Sequence, residues 1–246
     1  MYKNYVFDLY GTLIDINTNE WSMNLWKKLA ILYSYKQAHY TPKELKKAYG
    51  EYVEYEKKLV RRRHKDYTVI DIKIEKVFKK LFTSKGVKCT KRDIDEICTA
   101  FRCFSTSYIK LYDGVLDLLD TLKAKGKRIY LLSNAQRKFT ENELNMFGLI
   151  PYFDGIIISS DEECSKPDSH YYNILLKRYN LNPKETIMVG NDYISDIQGS
   201  KDVGLDSLYI HQSISPEIKG DLVADYKVMD GNVYKIKELI VKKSSL

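Results

Sequence analysis

The sequence predicts an α/β protein: a doubly wound, Rossmann-like parallel sheet with an α-helical domain inserted after its first strand. Three observations carry this prediction. From Val115 onward, short apolar segments alternate with amphipathic segments of helical length, the pattern of repeated βαβ units. Residues 16–108 instead space their apolar residues at helical intervals almost throughout. Several apolar segments also run directly into Gly, Ser, Asn or Asp, as strands do where an open sheet meets its ligand.

Taken in order, residues 4–9 (NYVFDL) read as a buried strand leading to Gly11 and Thr12. Trp21, Leu25, Leu29, Leu32 and Tyr33 then predict a helix that ends before Pro42. Leu45, Tyr49, Tyr52, Glu56, Leu59 and Val60 follow helical spacing, and so do Ile70, Ile74, Val77, Phe78, Leu81 and Phe82. Ile94, Ile97, Cys98, Phe101 and Tyr108 complete a small bundle. A helix over 115–125 closes at Gly126, a fitting C-cap. Strands are then predicted at 128–132, 155–159, 186–189, 207–211 and 224–228, with helices at 140–147, 169–179, 196–203 and 233–241. Residues 1–15 and 109–246 form the core domain on this reading, and 16–108 form the inserted one. An insertion there overhangs the C-terminal ends of the strands.

Composition narrows the function classes. With 44% hydrophobic and 30% charged residues, the chain can bury a core and is not disordered. No apolar run approaches the roughly 18 residues of a membrane span. The N-terminus, MYKNYVFDLYG, is interrupted by acid and glycine and does not read as a signal peptide. Cys89, Cys98, Cys103 and Cys164 form no CxxC pair, so a thiolate metal site is not expected. Free thiols without an export signal suit the cytoplasm. Residues 16–108 carry a charge balance of +10 within a net +7 chain. That excess fits either a solvated helical surface, including the run Arg61-Arg62-Arg63-His64-Lys65, or a lid attracting a small anionic substrate. No binding module or aromatic-interleaved basic motif points to nucleic acid, and oligomeric state is left open.

The polar residues gather at predicted strand ends. Asp8 and Thr12 follow the first strand, and Ser133-Asn134 the second core strand. Lys166, in CSKPD, follows the third, and Asp192 and Asp196, in GNDYISD, follow the fourth. All would reach the same edge of the sheet.

The elements DLYGTL, LLSN, SKPD and GNDYISD, in this order, resemble the four motifs of the haloacid dehalogenase-like (HAD) superfamily, as does GLIPYFDGIIIS between the second and third. The insertion is similar to that superfamily's helical cap in position and type. The resemblance implies that Asp8 is a covalent nucleophile, with Lys166 offsetting negative charge. Thr12, Ser133 and, as a substrate-binding residue, Asn134 would meet the transferring group. It further implies Mg²⁺ held by Asp8, the Tyr10 carbonyl and Asp192, with Asp196 ligating through water or orienting the site.

One departure stands out. Superfamily phosphatases usually have a second Asp two residues after the nucleophile, as general acid and base; here it is Tyr10. In this, the motif resembles 2-haloacid dehalogenases, which need no metal. Those enzymes, however, lack an Asp equivalent to Asp192 and have an early cap arginine, whereas the first arginine here is Arg61. The expectation is a Mg²⁺-dependent phosphatase, with a metal-free dehalogenase and a weakly active phosphate- and Mg²⁺-binding regulator as alternatives. A phenol at position 10 can donate a proton but is rarely ionised enough to accept one.

Overall fold

The computed structural model describes residues 2–242, with side chains as far as Leu239. Four-residue β1 (Asn4–Phe7) is wholly buried, as is β6 (Thr186–Gly190). Strands buried on both faces read as continuous apolar runs because helices cover each side of a parallel sheet. The remaining sheet strands are β4 (Arg128–Ser133), β5 (Gly155–Ile158), β7 (Asp206–Ile210) and β8 (Tyr226–Val228). Their order is β5-β4-β1-β6-β7-β8, with all neighbours parallel. Chain order therefore reverses between β1 and β6, the switch point where such sheets open a crevice.

Side-chain alternation along β1 divides the core. Tyr5 and Phe7 join Leu118 and Leu122 of α5 (Val115–Ala124) and Ile236 of α10 (Val233–Lys242). Val6 faces the other way, with Met188, Leu132 and Tyr171 and Leu175 of α8 (Ser169–Arg178).

A separate apolar cluster lies in the helices between β1 and β4: α1 (Met23–Tyr35), α2 (Pro42–Arg63), α3 (Ile74–Thr83) and α4 (Lys91–Ser105). Trp26, Tyr33, Phe78 and Phe101 are its fully buried aromatics. Thr41 and Glu44 cap α2 reciprocally, Pro42 occupies its first turn, and Thr90 and Asp93 cap α4 in the same way.

Residues 17–108 are not almost wholly helical, as the periodicity suggested. β2 (Ile14–Thr18) and β3 (Thr106–Leu111) form an antiparallel ribbon that straddles both expected boundaries of the insertion. Asp15 pairs with Lys110, and Ile16 with Ile109, in register. Tyr108 belongs to this ribbon rather than to α4; β-branched and aromatic residues in TSYIKL favour the pleated conformation. Trp21 precedes α1 and is 59% exposed, whereas Trp26 packs against Tyr49 and Phe101. The predicted helix at 140–147 begins a turn earlier, as α6 (Arg137–Met146). That at 196–203 is a π-helical turn, Tyr193–Gln198, continued by α9 (Gly199–Asp202). Among the described residues, no helix is long and apolar enough to cross a membrane.

Candidate active site

Asp8 stands at the C-terminal end of β1, where its backbone N–H donates to the Val189 carbonyl at 2.9 Å and fixes it to β6. Lys166 enters from the loop after α7 (Ser159–Glu162) and is 2% exposed. Its Nζ donates to Asp8 Oδ1 and to Asp196 Oδ1, each at 2.7 Å. Burial alone would lower the Lys166 pKa; the two carboxylates outweigh it and hold the ammonium above its ordinary value. Asp196 is also buried, and its own pKa is raised: burial and the Asp8 charge favour the neutral acid more than Lys166 opposes it.

The surrounding motifs hold this arrangement in place. Asn134 clamps the Lys166 backbone, donating from Nδ2 to the Lys166 carbonyl at 2.9 Å and accepting from its N–H at 2.8 Å. Both ends of that amide are thus committed to positioning. Asp196 Oδ2 accepts from the Asp192 N–H, and Asp192 Oδ1 accepts from the N–H groups of Ile194 and Ser195, capping the π-helical turn. Two glycines are required by proximity. A Cβ at Gly190 would lie 2.3 Å from the Asp196 carboxyl carbon, and one at Gly11, where φ is +84°, would lie 2.3 Å from Asn191 Nδ2.

Thr12 Oγ1 is 3.3 Å from Asp8 Oδ2 and 3.4 Å from Asn191 Oδ1, long contacts that a better acceptor would replace. Ser133 Oγ is fully buried and makes no hydrogen bond to any described residue. An orphaned buried hydroxyl costs about 1–3 kcal/mol, and an anionic oxygen beside it would remove that cost.

The Tyr10 side chain turns toward α6. Its hydroxyl donates a short hydrogen bond to Glu143 Oε2 and lies 3.1 Å from Thr140 Oγ1. Arg102, from α4, donates to Glu143 Oε1 at 2.6 Å and places its guanidinium 5.2 Å from the Tyr10 ring centre. Burial, and then the Glu143 carboxylate, push the Tyr10 phenol well above its ordinary pKa. Tyr10 also borders a cavity of about 450 Å³ between the helical layer and the sheet, with Asn134 and Ser165 on the sheet side and Glu20, Asp71 and Arg102 on the other.

Sequence reasoning singled out Asp8, Tyr10, Thr12, Ser133, Asn134, Lys166, Asp192 and Asp196. It missed Glu20, Asp71, Arg102, Thr140 and Glu143. Arg102 directly follows the buried stripe residue Phe101, a charge at the edge of an apolar face, and that was its only sequence signal. Arg61 and Arg62 are exposed, while Arg63 pairs with Glu163 at 2.8 Å. All four cysteines are free thiols.

The donor set suits a hard divalent cation. Asp8 and Asp196 meet at one buried cation, Lys166, Asp192 donates its N–H to Asp196, and Asp192 Oδ2 makes no hydrogen bond among the described residues. No three His, Cys, Asp or Glu side chains among the described residues converge on one metal position. Magnesium does not require that, since it commonly takes one or two carboxylates and retains waters.

Comparison with known proteins agrees with this fold. The chain is 26% identical over 129 residues to the putative HAD-hydrolase YfnB of Bacillus subtilis, covering 52% of this chain and 54% of that protein. It is 26% identical over 133 residues to the pyrimidine 5'-nucleotidase PynA of Streptococcus pneumoniae, covering 54% and 55%. It thus spans about half the length of the curated relatives it matches. Among solved structures, a 2-haloacid dehalogenase from Pseudomonas syringae superposes with TM-score 0.65 at 16% identity, covering 98% of this chain and 99% of that one. Magnesium-bound YfnB superposes with TM-score 0.57 at 19% identity, covering 98% and 99%. At such identities these structures speak for the fold. Residues 2–204 match the haloacid dehalogenase-like hydrolase family, and the chain belongs to it.

Proposed function

We propose that the protein is a phosphohydrolase that passes the phosphoryl group of a small phosphomonoester or acyl phosphate to Asp8 and then to water. The observation that supports this most directly is the buried Lys166 held between Asp8 and Asp196, beside the unpartnered Ser133 hydroxyl. Lys166 aims the Asp8 carboxylate through its 2.7 Å ion pair. An Asp8 oxygen attacks phosphorus, the bond to the leaving group breaks, and an acyl phosphate remains on Asp8. Water then attacks that phosphorus, releasing phosphate and regenerating the carboxylate. Thr12 and Ser133 donate to the phosphoryl oxygens as charge develops. Asp8, the Tyr10 carbonyl and Asp192 would hold Mg²⁺, which neutralises phosphate charge when bound. Asp196 orients Lys166. Helices α1–α4 act as a cap over the strand ends, and the four free thiols suit a reducing cytoplasm.

The Tyr10 proton is directed to Glu143, so this phenol serves poorly as the acid or base that the second Asp supplies in related phosphatases. Leaving groups that depart without protein assistance should therefore be favoured.

The dehalogenase alternative gains one observation: Arg102 lies over Tyr10 in the cavity. Its charge, however, is already matched by Glu143 and is poorly placed to hold a halide. Assays of p-nitrophenyl phosphate and acetyl phosphate with and without Mg²⁺, beside halide release from 2-haloacids, separate the readings. Mg²⁺-dependent phosphate release that falls by at least roughly 10³-fold in Asp8→Asn is expected. Metal-independent halide release, or full phosphatase activity in Asp8→Asn, would reject the proposal.

A further inference from the structure

The cavity bordered by Tyr10, Asn134 and Ser165, neighbours of the site residues in sequence, has a chemical character opposite to that of the cap surface. Resting on the phosphohydrolase reading, we propose that the leaving group this site accepts carries a protonated amine, making the substrate class aminoalkyl phosphomonoesters.

Four features of the cavity wall lead there. Glu20 presents a carboxylate with no hydrogen bond or ion pair to any described residue, and burial holds its pKa above the ordinary value. Asp71 contributes a second carboxylate, fixed by Ser159 Oγ at 2.5 Å and Gln136 Nε2 at 3.1 Å. The one cationic side chain there, Arg102, is offset by Glu143, on which its Nε sits at 2.6 Å. Finally, the Tyr10 hydroxyl directs its proton to Glu143 and has none for the cavity. The two carboxylates of this cavity of about 450 Å³, Glu20 and Asp71, thus outnumber Arg102, whose charge Glu143 already offsets. A second phosphate or a carboxylate on the leaving group would meet like charge; an ammonium would meet the opposite charge of Glu20 and Asp71.

The same choice answers the commitment of the Tyr10 proton to Glu143. As the phosphorus–oxygen bond breaks, the departing alkoxide oxygen can take a proton from the substrate's own ammonium. The free amine then recovers a proton from solvent, so charge and protons balance without help from Tyr10. The cavity wall and the mechanism therefore favour the same leaving group.

The test uses the full-length protein with Mg²⁺ and a matched series: 2-aminoethyl phosphate, n-propyl phosphate and phosphoglycolate, with p-nitrophenyl phosphate as reference. The kcat/KM for 2-aminoethyl phosphate should exceed that for phosphoglycolate tenfold or more, with n-propyl phosphate between. Glu20→Gln and Asp71→Asn should each cut the preference threefold or more while leaving p-nitrophenyl phosphate turnover within about twofold, which also reports intact folding. Equal rates across the series, a preference for phosphoglycolate, or a preference unmoved in both variants would overturn the proposal. In each of those cases hydrolysis of p-nitrophenyl phosphate leaves the phosphohydrolase reading standing. No turnover of any phosphate ester would end both.

Discussion

Lys166 shows how one residue can be legible in sequence while its energetics are not. Its position after a predicted strand, in CSKPD, marks it as a candidate. That it is 2% exposed and shared between two carboxylates is a fact of packing. Removing one member of a buried ion network leaves charge uncompensated, at a cost of about 3–5 kcal/mol. Lys166→Met should therefore lower the unfolding free energy by about 3 kcal/mol in urea titrations, and turnover should fall by roughly 10³-fold. Adding Asp196→Asn removes the second buried charge. The double variant should regain part of the stability and none of the activity. Tyr10 makes the complementary point. The sequence shows that a phenol replaces a carboxylate there; only the structure shows its proton committed to Glu143.

At the level of elements, the segment after α2 is tied to the core through α8. Asp168 caps α8 by accepting from the His170 N–H at 2.8 Å, and its other oxygen accepts from Thr68 Oγ1 at 2.9 Å and the Val69 N–H at 3.2 Å. The neighbouring backbone continues the tie, with Ser165 N–H on the Val69 carbonyl and Asp71 N–H on the Glu163 carbonyl. Burial would raise the Asp168 pKa, but these hydrogen bonds, led by those from His170, override it and hold the group at about 2. Because the folded value lies below the unfolded one of about 3.9, this contribution is complete above about pH 4 and is lost as pH falls toward 2. It should amount to about 1–2 kcal/mol. Asp168→Asn is expected to lower the neutral-pH urea midpoint and to flatten its decline between pH 4 and pH 2.5; an unchanged acid limb would place the dependence elsewhere. A simpler contribution comes from the reciprocal cap of α2. Thr41→Ala should cost about 1 kcal/mol, read as a lower melting temperature with kcat unaffected.

For the whole molecule, the question is whether the basic cap steers substrate. The +10 balance of residues 16–108 is spread over helical surface: Arg61, Arg62 and Lys65 are exposed, and Arg63 and Lys36 are paired with acids. The cavity bordered by Tyr10 and Asn134 instead carries Glu20 and Asp71. Exposed charges more than about 8–10 Å from a site are largely screened at physiological salt. Arg61→Gln combined with Arg62→Gln should therefore change kcat/KM for p-nitrophenyl phosphate by less than about twofold, at both low and physiological ionic strength. A clear loss confined to low salt would instead support steering by this surface.

The division between what sequence determined and what tertiary structure decided follows from sequence distance. Short buried strands ending in polar residues are local patterns, so the parallel sheet, the placement of Asp8, Ser133, Lys166 and Asp196 at one edge, and the helical insertion were all readable from periodicity and motif order. The ribbon of β2 and β3 was not, because each of its strands is short and is stabilised by a partner some ninety residues away along the chain. Glu143 and Arg102 look like ordinary charged residues on amphipathic helices; they become a unit only where α4 packs on α6 beside Tyr10. Glu20 and Asp71 lie in connecting segments with no periodicity to mark them. Sequence thus determined which polar residues gather at the sheet edge, since each stands at the end of a strand whose place the sheet dictates. The character of the neighbouring cavity was decided by how the helical layer docks on that sheet, where side chains distant in sequence set its charge.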